Sequence, residues 1–206
     1  MTTIFIVDDN PAIREIFTFY LNLEGYTTIA VDGGKECLAL LKTCVPDLIL
    51  LDLMMEPMDG WETLCQIRQR PGTGRIPVII ITAKHPSPEE IRHYGGWIED
   101  FIEKPVDFDQ VVALLPPVLE KARDLDQEMT RQIAEGTDPA LVTEYSCLLR
   151  LVQLTRTLMK RFADIPWGSR KPLLVLEERL GLLHARLGIP DRFLERDDGD
   201  RVGTGR

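Results

Sequence analysis

Residues Leu48–Asp52 read LILLD, four large aliphatic side chains closed by an aspartate. A run apolar at every position has no wet face, so it fits an inner strand of a parallel sheet covered by helices on both sides. Similar runs recur in both directions. Thr3–Val7 (TIFIV) ends at Asp8-Asp9, Val78–Ile81 (VIII) ends at Thr82, and Asp100–Ile102 runs into Lys104-Pro105; Thr27–Val31 (TTIAV) reads as a strand without such an ending.

Between the strands the apolar residues change to helical spacing. Asn10-Pro11 suits an N-cap followed by proline at the first helical position, and Gly25 stands where a C-terminal cap belongs. Lys35–Leu41 and Trp61–Arg68 read as helices. Ser87-Pro88-Glu89-Glu90 is a capping box, and Gly95-Gly96 ends its helix early. From about Phe108 the pattern is helical again. Five strand–helix units with short connections predict an α/β fold, a doubly wound five-stranded parallel sheet, followed by an all-α extension.

Such sheets bind ligands beyond the carboxyl ends of their strands. Asp8, Asp9, Asp52, Thr82 and Lys104 are therefore expected to converge. Three carboxylates together repel unless a cation joins them, and Mg²⁺ accepts carboxylates, waters and phosphate oxygens. Lys104 and Thr82 suit the equatorial oxygens of a phosphoryl group, with Asp52 as its acceptor. Asp59 reads as a helix N-cap and Glu56 as a solvated loop carboxylate. His85, His93 and His184 are scattered and read as packing or surface residues.

The motifs Asp8-Asp9, Asp52 through Gly60, Thr82-Ala83 and Lys104-Pro105 resemble the receiver domains of two-component response regulators. The spacings agree: 43 residues from Asp9 to Asp52, 30 to Thr82 and 22 to Lys104. The resemblance covers roughly residues 2–115. It implies phosphoryl transfer to Asp52 from a sensor histidine kinase or a phosphotransfer protein, with no other enzymatic activity. It implies Mg²⁺ held by Asp8, Asp9, Asp52 and the backbone carbonyl of Met54, with Asp8 acting partly through water. It further implies a Thr82 that moves toward the phosphoryl group, Phe101 at a rotating aromatic position, and a cis Lys104–Pro105 bond.

The chain also departs from that family. Pro57 stands one residue later than usual after the phosphoacceptor, so a re-shaped loop is expected. Gly95-Gly96-Trp97-Ile98 replaces a stretch of small residues, which leaves the geometry of the fourth helix open. Apolar Met54 is expected to hinder an attacking water and lengthen the life of an aspartyl phosphate.

The domains are drawn at 1–118, the receiver, and 119–206, the helical extension. From the fifth helix onward, Val111 to Ile133, Leu141 to Phe162 and Leu173 to Leu187 carry near-heptad seams. Pro116-Pro117 should kink or restart the fifth helix, and Pro166-Trp167-Gly168 reads as a break. The tail from about Glu195 reads as disordered. These seams fit either a helical hairpin packed on the fifth helix or a homodimer through it.

Residues 1–108 hold 9 Lys+Arg against 17 Asp+Glu and residues 109–206 hold 15 against 16, so nearly all of the net charge of −9 sits in the first half. The second half lacks the positive excess that drives nucleic-acid binding, which weighs against DNA as a partner. Phosphorylation-dependent contact with a downstream protein is the leading reading, and a transcription regulator binding DNA as a dimer the second. Four cysteines without CxxC spacing read as reduced thiols packed in helices. No apolar run approaches the roughly 18 residues of a membrane span, and a cytoplasmic location is expected.

Overall fold

In the computed structural model, which describes residues 1–70, 72–84, 86–161 and 171–194, the apolar runs become five strands. These are β1 (Thr3–Val7), β2 (Thr27–Val31), β3 (Leu48–Asp52), β4 (Val78–Thr82) and β5 (Asp100–Glu103). All pair in parallel in the order β2-β1-β3-β4-β5. Every residue of β3 and β4 is buried, as expected of strands covered on both faces.

The sheet's two faces pack different helices. On one, Ile4, Ile6, Leu48, Leu50, Ile79 and Ile81 meet α1 (Pro11–Leu23) and the first half of α5 (Phe108–Ala134). On the other, Phe5, Val7, Ile49, Leu51, Val78 and Ile80 meet α2 (Gly34–Leu40), α3 (Gly60–Gln69) and α4 (Pro88–Tyr94). The local signals hold. Asn10 accepts from the Ala12 N–H, Gly25 takes φ +83°, and Ser87 and Glu90 form both halves of the capping box.

One expectation for α5 is corrected. The helix does not restart at Pro116-Pro117 but runs through both, crossing the boundary drawn at residue 118. An interior proline usually costs about 3 kcal/mol, through a lost hydrogen bond and a clash. Here both prolines are exposed, so water can reach the carbonyls they leave without a donor. Leu115 and Leu119 anchor the helix on the sheet, while Leu125 and Met129 anchor it in a separate core.

That second core joins α5 to α6 (Pro139–Arg161) and α7 (Lys171–Leu187). The hairpin packed on the fifth helix is thus present within one chain. Its α7 seam is as read: Leu180 and Leu183 are buried, and Leu173, Leu176 and Leu187 are packed against the core. The α6 seam differs after Val152. Thr155 and Met159 are only half-buried, and the buried stripe passes to Leu154 and Leu158. These two belong to the apolar cluster of the sheet, with Ile91, Ile98 and Phe101. Helix α6 presents two faces at once: Val142, Tyr145, Leu149 and Val152 to α5 and α7, and Leu151, Leu154 and Leu158 to the cluster of the sheet.

Sequence reasoning also missed a polar hub in the helical core. His184 is buried, with Nδ1 2.9 Å from the Tyr145 hydroxyl and Nε2 3.0 Å from Asp191. Glu128 and Gln132 are buried beside each other on α5, and Gln132 donates to the Leu187 carbonyl. All four cysteines are free thiols, and burial pushes Cys37 up to about 12. No helix among the described residues is long and apolar enough to cross a membrane. The expectations for His85, Phe162, the Pro166–Gly168 break and the tail from Glu195 lie outside the described residues.

Candidate functional site

Parallel register brings the strand ends to one edge. Val7 is level with Leu51, Asp52 with Ile81, and Thr82 with Glu103. Because β1 and β3 are neighbours at the point where strand order reverses, Asp8 and Asp52 face a common crevice.

One carboxylate oxygen from each of Asp8, Asp9 and Asp52 lies within 4.8 Å of the others. At that separation two unit negative charges repel by about 3–4 kcal/mol at an effective dielectric near 20. Asp8 and Asp52 are buried, whereas Asp9 is exposed. Lys104 Nζ sits between the buried pair, 2.8 Å from Asp8 and 3.1 Å from Asp52. One ammonium cannot neutralise three carboxylates. Burial holds the Asp52 carboxyl above the usual carboxylate range, and the attraction of Lys104 opposes that rise. Burial by itself would lower the Lys104 ammonium, but its hydrogen bond to Asp8 and the charge of Asp52 carry it above its ordinary value.

Asp8 is fixed on both sides. Its Oδ1 accepts from the Asn10 N–H at 2.9 Å and its Oδ2 from Lys104, while Arg14 donates to its backbone carbonyl at 2.7 Å. Asp52 is different. Its Oδ1 is buried and has no hydrogen-bond partner among the described residues. A buried, unpartnered carboxylate oxygen is costly, and beside two further carboxylates it fits a hard divalent cation or an incoming electrophile. The acidic donor set therefore suits Mg²⁺, with oxygen ligands only.

The loop after β3 is held by a close approach. A Cβ on Gly60 would lie 2.2 Å from the Asp52 carbonyl oxygen and 2.7 Å from Leu53 Cα, so only glycine fits there. The Gly60 N–H donates to the Leu53 carbonyl at 3.0 Å, and Asp59 caps α3 through the Glu62 N–H at 2.8 Å. Met54 is exposed, as is Glu56. Glu56–Pro57 is cis, in the loop expected to be re-shaped, and Lys104–Pro105 is cis as expected.

Thr82 is buried at the end of β4, where its Oγ1 accepts from the Lys84 N–H at 3.2 Å. A hydroxyl keeps one donor beside that role. Phe101 is buried on β5, two strands from Asp52, in an edge-to-face contact with Trp61 at 6.1 Å between centroids. The five polar residues expected at the site thus stand along one sheet edge, and Phe101 is set apart from them.

Sequence reasoning missed the groups around Glu90. Its carboxylate accepts from Lys84 Nζ at 2.9 Å, Trp61 Nε1 at 3.1 Å and the Ser87 N–H at 2.8 Å. The capping box gave the last of these. The first two join residues that only folding brings together.

The chain has relatives among known proteins. The response regulator receiver domain family model matches residues 4–116. Transcriptional regulatory protein GlrR of Escherichia coli K12 is 30% identical over 154 residues, 74% of this chain and 32% of its own length. The DNA-binding dual master transcriptional regulator RpaA of Synechocystis is 33% identical over 128 residues, 62% of this chain and 53% of its own. The chain thus spans about a third of the one and half of the other. Among solved structures, the N-terminal domain of a response regulator receiver protein from Methanoculleus marisnigri JR1 is 46% identical. It covers 56% of this chain and 98% of that one, with a TM-score of 0.50.

Proposed function

Since this chain belongs to the response regulator receiver family, we propose that Asp52 is its phosphoacceptor, charged by a sensor histidine kinase or a phosphotransfer protein. The observation that carries this reading is Asp52 Oδ1, buried without a partner in an acidic crevice beside a lysine.

In the proposed step a carboxylate oxygen of Asp52 attacks phosphorus as the bond from phosphorus to the donor's histidine nitrogen breaks, and the nitrogen keeps the electron pair. The chain's own part is positioning and charge neutralisation. Lys104 gives up its contact with Asp52 and meets a phosphoryl oxygen, while the Thr82 hydroxyl donates to another. Asp8, Asp9, Asp52 and the Met54 carbonyl would hold Mg²⁺, with Asp8 acting partly through water. When bound, the ion offsets the negative charge of the carboxylates and the phosphoryl group. Exposed Met54 borders the path of a water that would hydrolyse the product, which favours a long-lived phosphoryl group.

Residues 1–118 act as the receiver and 119–206 as its output, in contact with a downstream protein. A second reading, DNA binding by the helical half as a dimer, draws support from relatives named as transcriptional regulators. These names weigh against the expectation that DNA is not a partner; the near-balanced charge of residues 109–206 weighs for it.

The test is incubation with acetyl phosphate and Mg²⁺ followed by intact-mass and peptide mass spectrometry. One phosphoryl group on the peptide holding Asp52, absent in Asp52→Asn and absent with EDTA, is expected. Labelling that persists in Asp52→Asn would overturn the assignment. A gel shift at physiological salt tests the second reading.

A further inference from the structure

Helix α6 keeps one face in the helical core and lays another across the receiver surface formed by α4, the single-turn 3-10 helix Gly95–Trp97 and β5. That seat is built for it. A Cβ on Gly96 would be 2.8 Å from the Cys147 carbonyl oxygen, and one on Gly95 would be 2.8 Å from Leu151 Cδ1, so the glycine pair lets the helix come close. Two acids beside and on β5 meet two arginines of α6. Glu99 pairs with Arg150 at 2.5 Å, both nearly buried, and Asp100 with Arg161 at 3.0 Å. Leu154 and Leu158 fill the space between these pairs, in the same apolar cluster as Phe101.

The seat also reaches the proposed phosphoacceptor edge through a run of contacts. The Lys84 N–H donates to Thr82, and the Lys84 ammonium to Glu90. Glu90 takes the Trp61 indole N–H; Trp61 stacks on Tyr94 at 4.2 Å and meets Phe101 edge to face. The Phe101 carbonyl accepts from Arg161 of α6 at 2.5 Å.

We propose that α6 is a built-in reader of the receiver, its hold on the α4–β5 face set by occupancy of Asp52 through Lys84, Glu90 and Trp61. The proposal rests on Asp52 being the phosphoacceptor. A phosphoryl group there brings negative oxygens beside Thr82 and competes with Glu90 for the Lys84 ammonium. It also draws the Thr82 hydroxyl from the Lys84 N–H. With Lys84 withdrawn, Glu90 and Trp61 lose one anchor, and the Trp61–Tyr94–Phe101 stack repacks under α6. Close-packed interfaces answer small shifts by changing state rather than deforming smoothly. Because the chain covers this face with its own helix, the signal leaves through α5, α6 and α7, and an outside partner reads the helical half.

The experiment is hydrogen–deuterium exchange on the full chain, with and without Mg²⁺ and beryllofluoride, a stable phosphoryl mimic, whose binding is followed separately by ¹⁹F NMR. The expected result is a change of about fivefold or more in amide exchange across residues 147–161 on binding. Glu90→Gln keeps the capping box and is expected to bind the mimic while the response of α6 falls away. Binding without a change in α6 would overturn the proposal and leave the phosphoacceptor assignment standing. A full α6 response in Glu90→Gln would overturn the route through Glu90. No bound ¹⁹F signal in the wild type would overturn the phosphoacceptor reading, and this proposal with it.

Discussion

Arg161, in the last turn of α6, donates to both carboxylate oxygens of Asp100 on β5, at 3.1 and 3.0 Å. The same guanidinium reaches the carbonyl of Phe101, the next residue. A helix outside the receiver is thereby fixed to the strand that leads to Lys104, and the two halves of the chain share one network.

The two ion pairs under α6 should differ in cost. The Arg150 and Glu99 side chains are 11% and 6% exposed, against 39% and 7% for Arg161 and Asp100. Removing one partner of a buried pair is costly, but Arg68 still faces Glu99 and is freed from the repulsion of Arg150, so Arg150→Met should cost about 3 kcal/mol. Arg161→Met should cost about 1–3 kcal/mol, since Asp100 still accepts from the Phe101 N–H. Urea unfolding of both variants checks the order.

Gly60→Ala should damage the loop after Asp52 more than its single methyl suggests. The nearest atoms are backbone, Asp52 O and Leu53 Cα, and neither can swing aside. A loss of about 1–3 kcal/mol is expected, with weakened beryllofluoride binding. Denaturant titration and ¹⁹F NMR read the two effects.

Divalent metal should reverse the ranking of wild type and Asp52→Asn. Burial holds the Asp52 carboxyl above its ordinary value, so its ionised form costs stability as pH rises through that raised value. Without metal, Asp52→Asn should therefore melt at or above the wild type near neutral pH. Mg²⁺ at ten times its Kd adds about 1.4 kcal/mol to the wild type, about 3–5 °C, and little to the variant. EDTA should restore the first ranking. Differential scanning calorimetry reads both.

Glu90 should contribute stability that acid removes. Burial works to raise its carboxyl, yet the Ser87 backbone N–H, Lys84, the Ser87 hydroxyl and Trp61 together bring it from 4.5 down to about 2. A depressed folded value gives stabilisation that is complete above about 4.5 and lost as pH falls toward about 2. The difference in unfolding free energy between wild type and Glu90→Gln should be constant from neutral pH down to that upper limit, then shrink. Urea titrations followed by Trp fluorescence across the window test this.

Much of the receiver was legible because its signals are local. The Asn10 cap, the Ser87–Glu90 box and Gly25 each involve a few neighbouring residues, so hydrogen-bond needs at helix ends appear directly in the letters. Uniformly apolar runs ended by Asp8-Asp9, Asp52 and Thr82 placed the polar residues on one edge, because parallel strands align their carboxyl ends. Proline at 116 and 117 allowed a kink or a restart; the helix does not restart, since the cost of proline depends on which helix face it occupies, and here that face is wet.

By itself, then, the sequence determined the parallel sheet, the acidic crevice and its lysine, and the presence of three amphipathic helices after them. The tertiary structure alone decided that α6 lays one face on β5 while another stays in the helical core. It also decided that Glu99 and Asp100 find arginines 51 and 61 residues away, and that Glu90 links Lys84 to Trp61. A heptad seam records that a helix has an apolar stripe, and α6 carries a second one that meets the sheet cluster. Which surface a stripe meets depends on shape and charge matching between distant segments, and the Gly95-Gly96 pair acquires its meaning only once the backbone at Cys147 lies against it.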